Sequence, residues 1–339
     1  MRITDRHLRT AAAPRIPLLR LQSLSRLPSW AFGVLCGGVM FSLLMVPVLT
    51  LEMRTEDALE ILGNALFFGL SISIVAGATS SVIRGAERDL EQLRSVVALA
   101  DDEFECLSQC LSRQTPTTAI FLLVLGMVLG ATHNYLLGQF QNVMPFLVTQ
   151  TTATFMMWII MLAVLPKMTE NALLFSDLGK ASKPDLLRPS RHAAFGSAAL
   201  RPAVFLIGTI CMYGFLILGD NDPFDDAVWI GIAASVVTLV GIVVFPLRGI
   251  RGRIRETRQA SLAALDARIE SLDLEDVASA SVQVMDEMDT VLDMRERVAR
   301  APGWPLDLAG VRRILFYIVL PPLTWAAAAI VEMLIDSAL

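Results

Sequence analysis

The sequence predicts an all-α, polytopic transmembrane bundle of seven spans, N-terminus in and C-terminus out, carrying a cytoplasmic helical layer. Three observations predict it. Hydrophobic residues make up 54% of the 339 and charged residues 18%, against about 45–50% and about 25% in soluble domains, and the mean hydropathy is +0.58. The apolar residues cluster into seven stretches, most near the ~20 residues that cross a bilayer. The connections between them alternate in charge.

Residues 1–29 form a basic N-terminal segment in which Arg2, Arg6, Arg9, Arg15, Arg20 and Arg26 stand against the single acid Asp5. With its leucines it suits the anionic cytoplasmic leaflet, and it also fits an organellar transit peptide. Six spans in three hairpins follow within 30–247, approximately 30–51, 61–83, 117–137, 146–165, 202–218 and 228–247, with a seventh at 313–335. The fifth is the shortest. The first connection (Glu52, Arg54, Glu56, Asp57) is short and acidic, and the third, 138–145, is uncharged. The fifth, 219–227, holds Asp220, Asp222, Asp225 and Asp226 with no base. The long connections carry the arginines and lysines: 84–116, 167–201 and 248–312. The positive-inside rule places the long connections in the cytoplasm. Arginine supplies 25 of the 28 basic residues, a bias read as GC-rich coding. The expected location is a bacterial inner membrane, with the mitochondrial inner membrane as alternative.

The layer is expected from two segments. In 86–112, Leu90, Leu93, Val97, Phe104, Leu107 and Leu111 make one helical stripe. Residues 248–305 read as a helical hairpin, each arm with an apolar stripe that must bury itself against other helices or neighbouring subunits. Breakers including Gly179, Pro184, Pro189 and Gly196 mark 176–200 as the most mobile loop, ending in a run, 192–200, suited to lying flat on the membrane surface. An elbow and the seventh span occupy 306–339, where Pro321-Pro322 are expected to break the helix near mid-span.

The apolar interiors of all seven spans lack Asp, Glu, Lys and Arg. That argues against a carrier working through a buried carboxylate, an arginine voltage sensor and a retinal Schiff base. Three weaker features remain. Gly69, Ser73, Gly77 and Ser81 recur every four residues as a stripe for close helix approach or a pore face. His133, Asn134, Thr149, Gln150 and Thr152 cluster at outer span ends and could border a polar cavity. Pro321, Pro322, Glu332 and Asp336 are the candidate kink and outer acidic mouth of a pore. Cys106 and Cys110 lack further partners for a zinc site, and no catalytic, cofactor or metal residues are expected.

The topology is similar to that of the insect odorant and gustatory receptor channels in orientation, short outer loops and a broken last helix. Two readings lead. One is an oligomeric, cation-preferring channel lined by the last span. The other is a membrane sensor or scaffold signalling to a cytoplasmic protein partner through 250–300. Without HExxH, G-x-S-x-G or a P-loop, an enzyme ranks below both. Expected partners are the bilayer and further copies of the chain, and no nucleic acid.

Overall fold

The computed structural model describes residues 5–50, 55–97, 99–136, 138, 140, 146–217, 226–272, 282–304 and 308–338. Among them the chain is helical, with only two isolated β-bridges, Arg15 to Arg113 and Val97 to Ser182. The helices are α1 (Asp5–Ala11), α2 (Pro17–Ser25), α3 (Ser29–Leu44), α4 (Val46–Thr50), α5 (Thr55–Leu93), α6 (Asp101–Ser112), α7 (Pro116–Leu136), α8 (Phe146–Ala181), α9 (Ala193–Met212), α10 (Asp226–Ser271), α11 (Val282–Arg300) and α12 (Leu308–Ala338).

Five helical stretches are long and apolar enough to cross a membrane: Asp57–Leu93, Pro116–Leu136, Val148–Ala181, Pro189–Leu216 and Ser235–Ser271. A sixth arises if α2 and α3, bent by 102° at their junction, make one span. In α12 the described apolar run is the shorter Val319–Val331. These helices fit an integral membrane protein.

Three helices far exceed the bilayer. At 1.5 Å per residue α5 is about 58 Å long, α8 about 54 Å and α10 about 69 Å, against ~30 Å of hydrocarbon. Their excess lengths emerge at one end, the end rich in arginine. There Leu90 and Leu93 of α5, Leu107 and Leu111 of α6, Phe175 and Leu178 of α8, Phe195 of α9, and Leu247 and Ile250 of α10 form one core. Each is at most 1% exposed. The helical layer is thus continuous with the spans and has no separate hydrophobic centre of its own.

Several expectations are corrected here. Residues 86–112 are two helices and not one. The chain leaves the helix after Leu93 and restarts at Asp101, where three acids suit the positive helix N-terminus. Arg94 straddles the break, paired with Glu91 at 3.3 Å and Asp101 at 2.6 Å. The supposed mobile loop 176–200 is mostly helix. α8 runs on to Ala181, a 3-10 turn spans Pro189–His192, and α9 begins at Ala193. His192 is buried, and its Nε2 accepts the Asp185 N–H at 2.8 Å. The run 192–200 does not lie on a surface, since Phe195 and Ala199 are fully buried in the core.

The N-terminal segment is folded into the body. Ile16 N–H donates to Ser112 O and Gln114 N–H to Pro14 O, both at 3.1 Å, and the Arg113 guanidinium donates to Ala11 O. Ile16 is 1% exposed. α12 is continuous through Pro321-Pro322. The expected break is absent from the helical trace, and the Thr324 hydroxyl donates to Pro321 O at 2.8 Å. Prolines also lie inside α8, α9 and α10, as membrane helices tolerate where neighbours re-satisfy the backbone.

The first arm of the 248–305 hairpin lengthens the sixth span. α10 is one helix from Asp226 to Ser271, and α11 packs back along it. Leu262, Leu265 and Ile269 on one arm and Val284, Met288 and Val291 on the other are all half-buried. The ion pairs Arg268–Glu287 and Arg295–Asp266 tie the arms together.

Candidate functional site

The most concentrated polar chemistry among the described residues lies where α5 and α9 leave the apolar region. Asp89 of α5 is 2% exposed. Its Oδ2 accepts from Arg201 Nη1 at 2.7 Å and its Oδ1 from Ser197 Oγ at 2.7 Å and Arg201 Nη2 at 3.3 Å. The carboxylate is gripped by a forked guanidinium and a hydroxyl, the arrangement that makes a buried charge tolerable. Gly85, one turn before Asp89, leaves the passage for the arginine. A Cβ there would lie 2.0 Å from Arg201 Nη1. Residues 112 apart in sequence are joined, so no local pattern could announce the pair. Asp89 reads instead as one acid of a solvated face.

A second polar group ties α3 to α5. Arg84 Nε donates to Ser80 O at 3.2 Å, and its Nη2 reaches Ser29 Oγ and Ser80 Oγ. Above it the small-residue stripe packs on α3. A Cβ on Gly33 would stand 2.4 Å from Ser73 O, and one on Gly37 would stand 2.2 Å from Gly69 O. Gly77 lies against Ser29 O and Gly33. Ser81 is exposed. Gly37→Ala is therefore expected to cost about 2–3 kcal/mol by overpacking. Gly38→Ala, with nothing within 4 Å of its Cβ, should gain up to ~1 kcal/mol of helix propensity. Paired thermal melts in one detergent check the opposite signs.

The polar residues expected at the outer span ends sit on α7 and α8, which pack antiparallel. Gly126 meets Ile159 and Gly130 meets Phe155, so continuing the register places Asn134 level with Thr151. Asn134 is fully buried, and its Nδ2 donates to Gly130 O at 2.9 Å. Asn134 Oδ1, Thr151 Oγ1 and Thr154 Oγ1 are buried without a partner among the described residues. Thr149 is also buried, whereas Gln150 and Thr152 are half-buried. His133 turns to Trp158, whose Nε1 donates to His133 Nδ1 at 3.4 Å. The arrangement is a polar seam between two helices.

On α12, Pro321 is buried and Pro322 exposed. Trp325 Nε1 donates to Ile210 O of α9 at 3.2 Å, and a Cβ at Gly214 would stand 3.0 Å from that indole. Glu332 and Asp336 fall in α12, but their side chains lie outside the described residues, as do Asp220, Asp222 and Asp225 of the acidic loop.

Among the described residues no three His, Cys, Asp or Glu side chains gather closely enough to hold a metal ion. Cys110 of α6 donates its thiol to His7 O at 3.2 Å. Burial, with Cys106 next to it adding to the effect, pushes its pKa from 9.0 up to about 11. At pH 8 the thiolate fraction is then about a hundredfold below that of an unperturbed thiol. Site-resolved maleimide labelling of the folded protein should find Cys110 slow by that factor, and denaturation should abolish the difference.

Searches against protein-family models, curated proteins and solved structures find no match to this chain.

Proposed function

We propose that the chain is an integral membrane scaffold or sensor that couples its spans to a helical cytoplasmic partner through the α10–α11 hairpin. The observation that supports this best is the continuity of α10. One helix carries Val240 and Val244, exposed on an apolar face, then Leu247 and Ile250 in the core, then the outer arm of the hairpin. A displacement of the span can pass along this one continuous helix, through Pro246, to the hairpin. The arms bury their stripes only halfway, and Val282, Met285 and Leu292 of α11 remain 75%, 49% and 45% exposed. Such a two-helix seam takes a third amphipathic helix readily. The arginine distribution supports a cytoplasmic placement of this end, and a bacterial inner membrane is the proposed setting.

A photo-crosslinker at Met285 in cells tests the reading. Adducts to a different cytoplasmic chain, lost when 260–295 is deleted, are expected. A crosslinker that captures nothing in cells that fold the protein would refute it.

One observation favours the channel as a second reading. α12 is fastened to α9 along one edge, while Val319, Leu323, Ile330 and Met333 are exposed, a surface that further copies of the chain can cover. A ring of subunits in nanodiscs with cation flux reduced by Glu332→Gln would support it, and a strict monomer would remove it.

A further inference from the structure

The α10–α11 hairpin is electrically lopsided. Next to the spans, 248–258 carries five arginines against Glu256, whereas 265–293 holds nine acids against Arg268 alone. The two ends are well separated. From Ile250 in the core to Ser271 at its end, α10 rises about 32 Å at ~1.5 Å per residue. That is several times the Debye length of about 8 Å at physiological salt. The arginines near the spans therefore do not offset the negative charge at the far end.

That charge surrounds an apolar line. On α11, Val282, Met285, Asp289 and Leu292 follow one another at spacings of three, four and three residues, so they share one face. All four are exposed. Val284, Met288 and Val291 take the other side of the helix and are half-buried. Asp289 stands within the exposed line, and Asp286 and Asp293 stand beside it. Asp293 is paired with Arg297 at 2.8 Å. Asp286, Asp289 and, at the end of α10, Glu270 are exposed and make no ion pair among the described residues. Met285 adds a flexible, polarizable side chain that adapts to the shape packed on it.

The same charges narrow what can cover the line. A second copy inserted the same way is related by an axis along the membrane normal, which sets acidic end against acidic end. An anionic leaflet repels the segment, and so do nucleic-acid phosphates. A divalent cation alone would leave Val282, Met285 and Leu292 uncovered. A helix with its own apolar stripe and rows of Lys or Arg on either side satisfies both features.

The geometry points to a basic amphipathic helix as the partner's docking element, laid along the outer face of α11. Its apolar stripe covers Val282, Met285 and Leu292. Its cations meet Asp286 and Asp289, and Glu270 adds to the field that draws it in. This inference rests on the scaffold reading and names the chemistry of its partner.

The test uses the full chain in phosphatidylcholine nanodiscs and three labelled helical peptides, read by fluorescence anisotropy. The peptides share one apolar face and carry lysine, glutamine or glutamate on the polar face. The lysine peptide should bind about tenfold more tightly than the glutamine peptide, and the glutamate peptide should not bind. Raising salt from about 0.05 M to about 0.5 M should remove most of the lysine peptide's advantage. Asp286→Asn/Asp289→Asn should weaken the lysine peptide about fivefold and leave the glutamine peptide unmoved. Both positions are exposed, so that variant folds. Met285→Ser should weaken the lysine and glutamine peptides alike. Equal binding of those two peptides, or a preference unmoved by the asparagine pair, would overturn the basic assignment while leaving the hairpin as a docking site. Binding of none of the three would overturn it as well, and the Met285 adducts then decide separately whether a partner of another kind docks there.

Discussion

Arg201→Leu is expected to be among the most damaging single substitutions in the chain, costing about 3–5 kcal/mol. Its partner Asp89 is 2% exposed, and the arginine supplies two of the three hydrogen bonds its carboxylate accepts. Removing the guanidinium leaves a buried charge with only the Ser197 hydroxyl, and an uncompensated buried charge carries a penalty of that size. The pair itself is a different matter, because desolvation offsets most of its attraction. The double variant Asp89→Leu/Arg201→Leu should therefore recover most of the loss, since both charges leave together. Arg201 is also 30% exposed at its side chain, so some of its charge is already hydrated and the double variant gives up less than a fully buried pair would. Melting followed by tryptophan fluorescence for wild type, both single variants and the double variant gives the coupling directly. A double variant as unstable as Arg201→Leu would show that the clasp contributes strongly in its own right.

How much of this was legible depends on how far apart the interacting residues lie. The apolar spans are local patterns, and 117–137 falls within a residue of α7 at each end. The stripe of 86–112 was also legible, and Leu90, Leu93, Phe104, Leu107 and Leu111 all enter the core. The break within it was not, because Arg94 and Asp101 make an ion pair across seven residues that periodicity does not register. The segment 176–200 misled for a physical reason. Pro184 and Pro189 do separate α8 from α9, but Ser176 and Gly179 are inside α8. They are small because α10 crosses there, and the same residue types that end helices also let helices touch. Arg84-Gly85 and Arg248-Gly249 look alike in sequence, and both glycines are points of close approach, one under Arg201 and one against Ser176 O. The clasp itself could not be read, since which helix neighbours which is decided by the whole bundle.

That close approach of α8 and α10 carries the second large expectation. A Cβ at Gly249 would lie 1.8 Å from Ser176 O, and one at Gly179 would lie 2.4 Å from Ile250 N. Both obstacles are backbone, which cannot rotate aside, so Gly249→Ala must push the helices apart. The displacement falls on Leu247, Ile250, Phe175 and Leu178, each at most 1% exposed within one core. Opening that core adds lost apolar burial to the overlap, and the cost is expected at about 3 kcal/mol or more. Three residues on, Gly252 has nothing within 4 Å of its Cβ, and Gly252→Ala should stabilise by up to ~1 kcal/mol through helix propensity. The two substitutions are chemically identical and lie on one helix, so propensity and denatured-state effects cancel in their difference. A gap of several kcal/mol in melts of the two variants would belong to the crossing alone. If the scaffold reading holds, Gly249→Ala should also weaken the crosslink from Met285, because α10 would no longer be pinned where it leaves the spans. A stable Gly249→Ala variant would mean that the helices do not cross as closely as the glycines allow, and that the rod from span to hairpin is not fixed at this point.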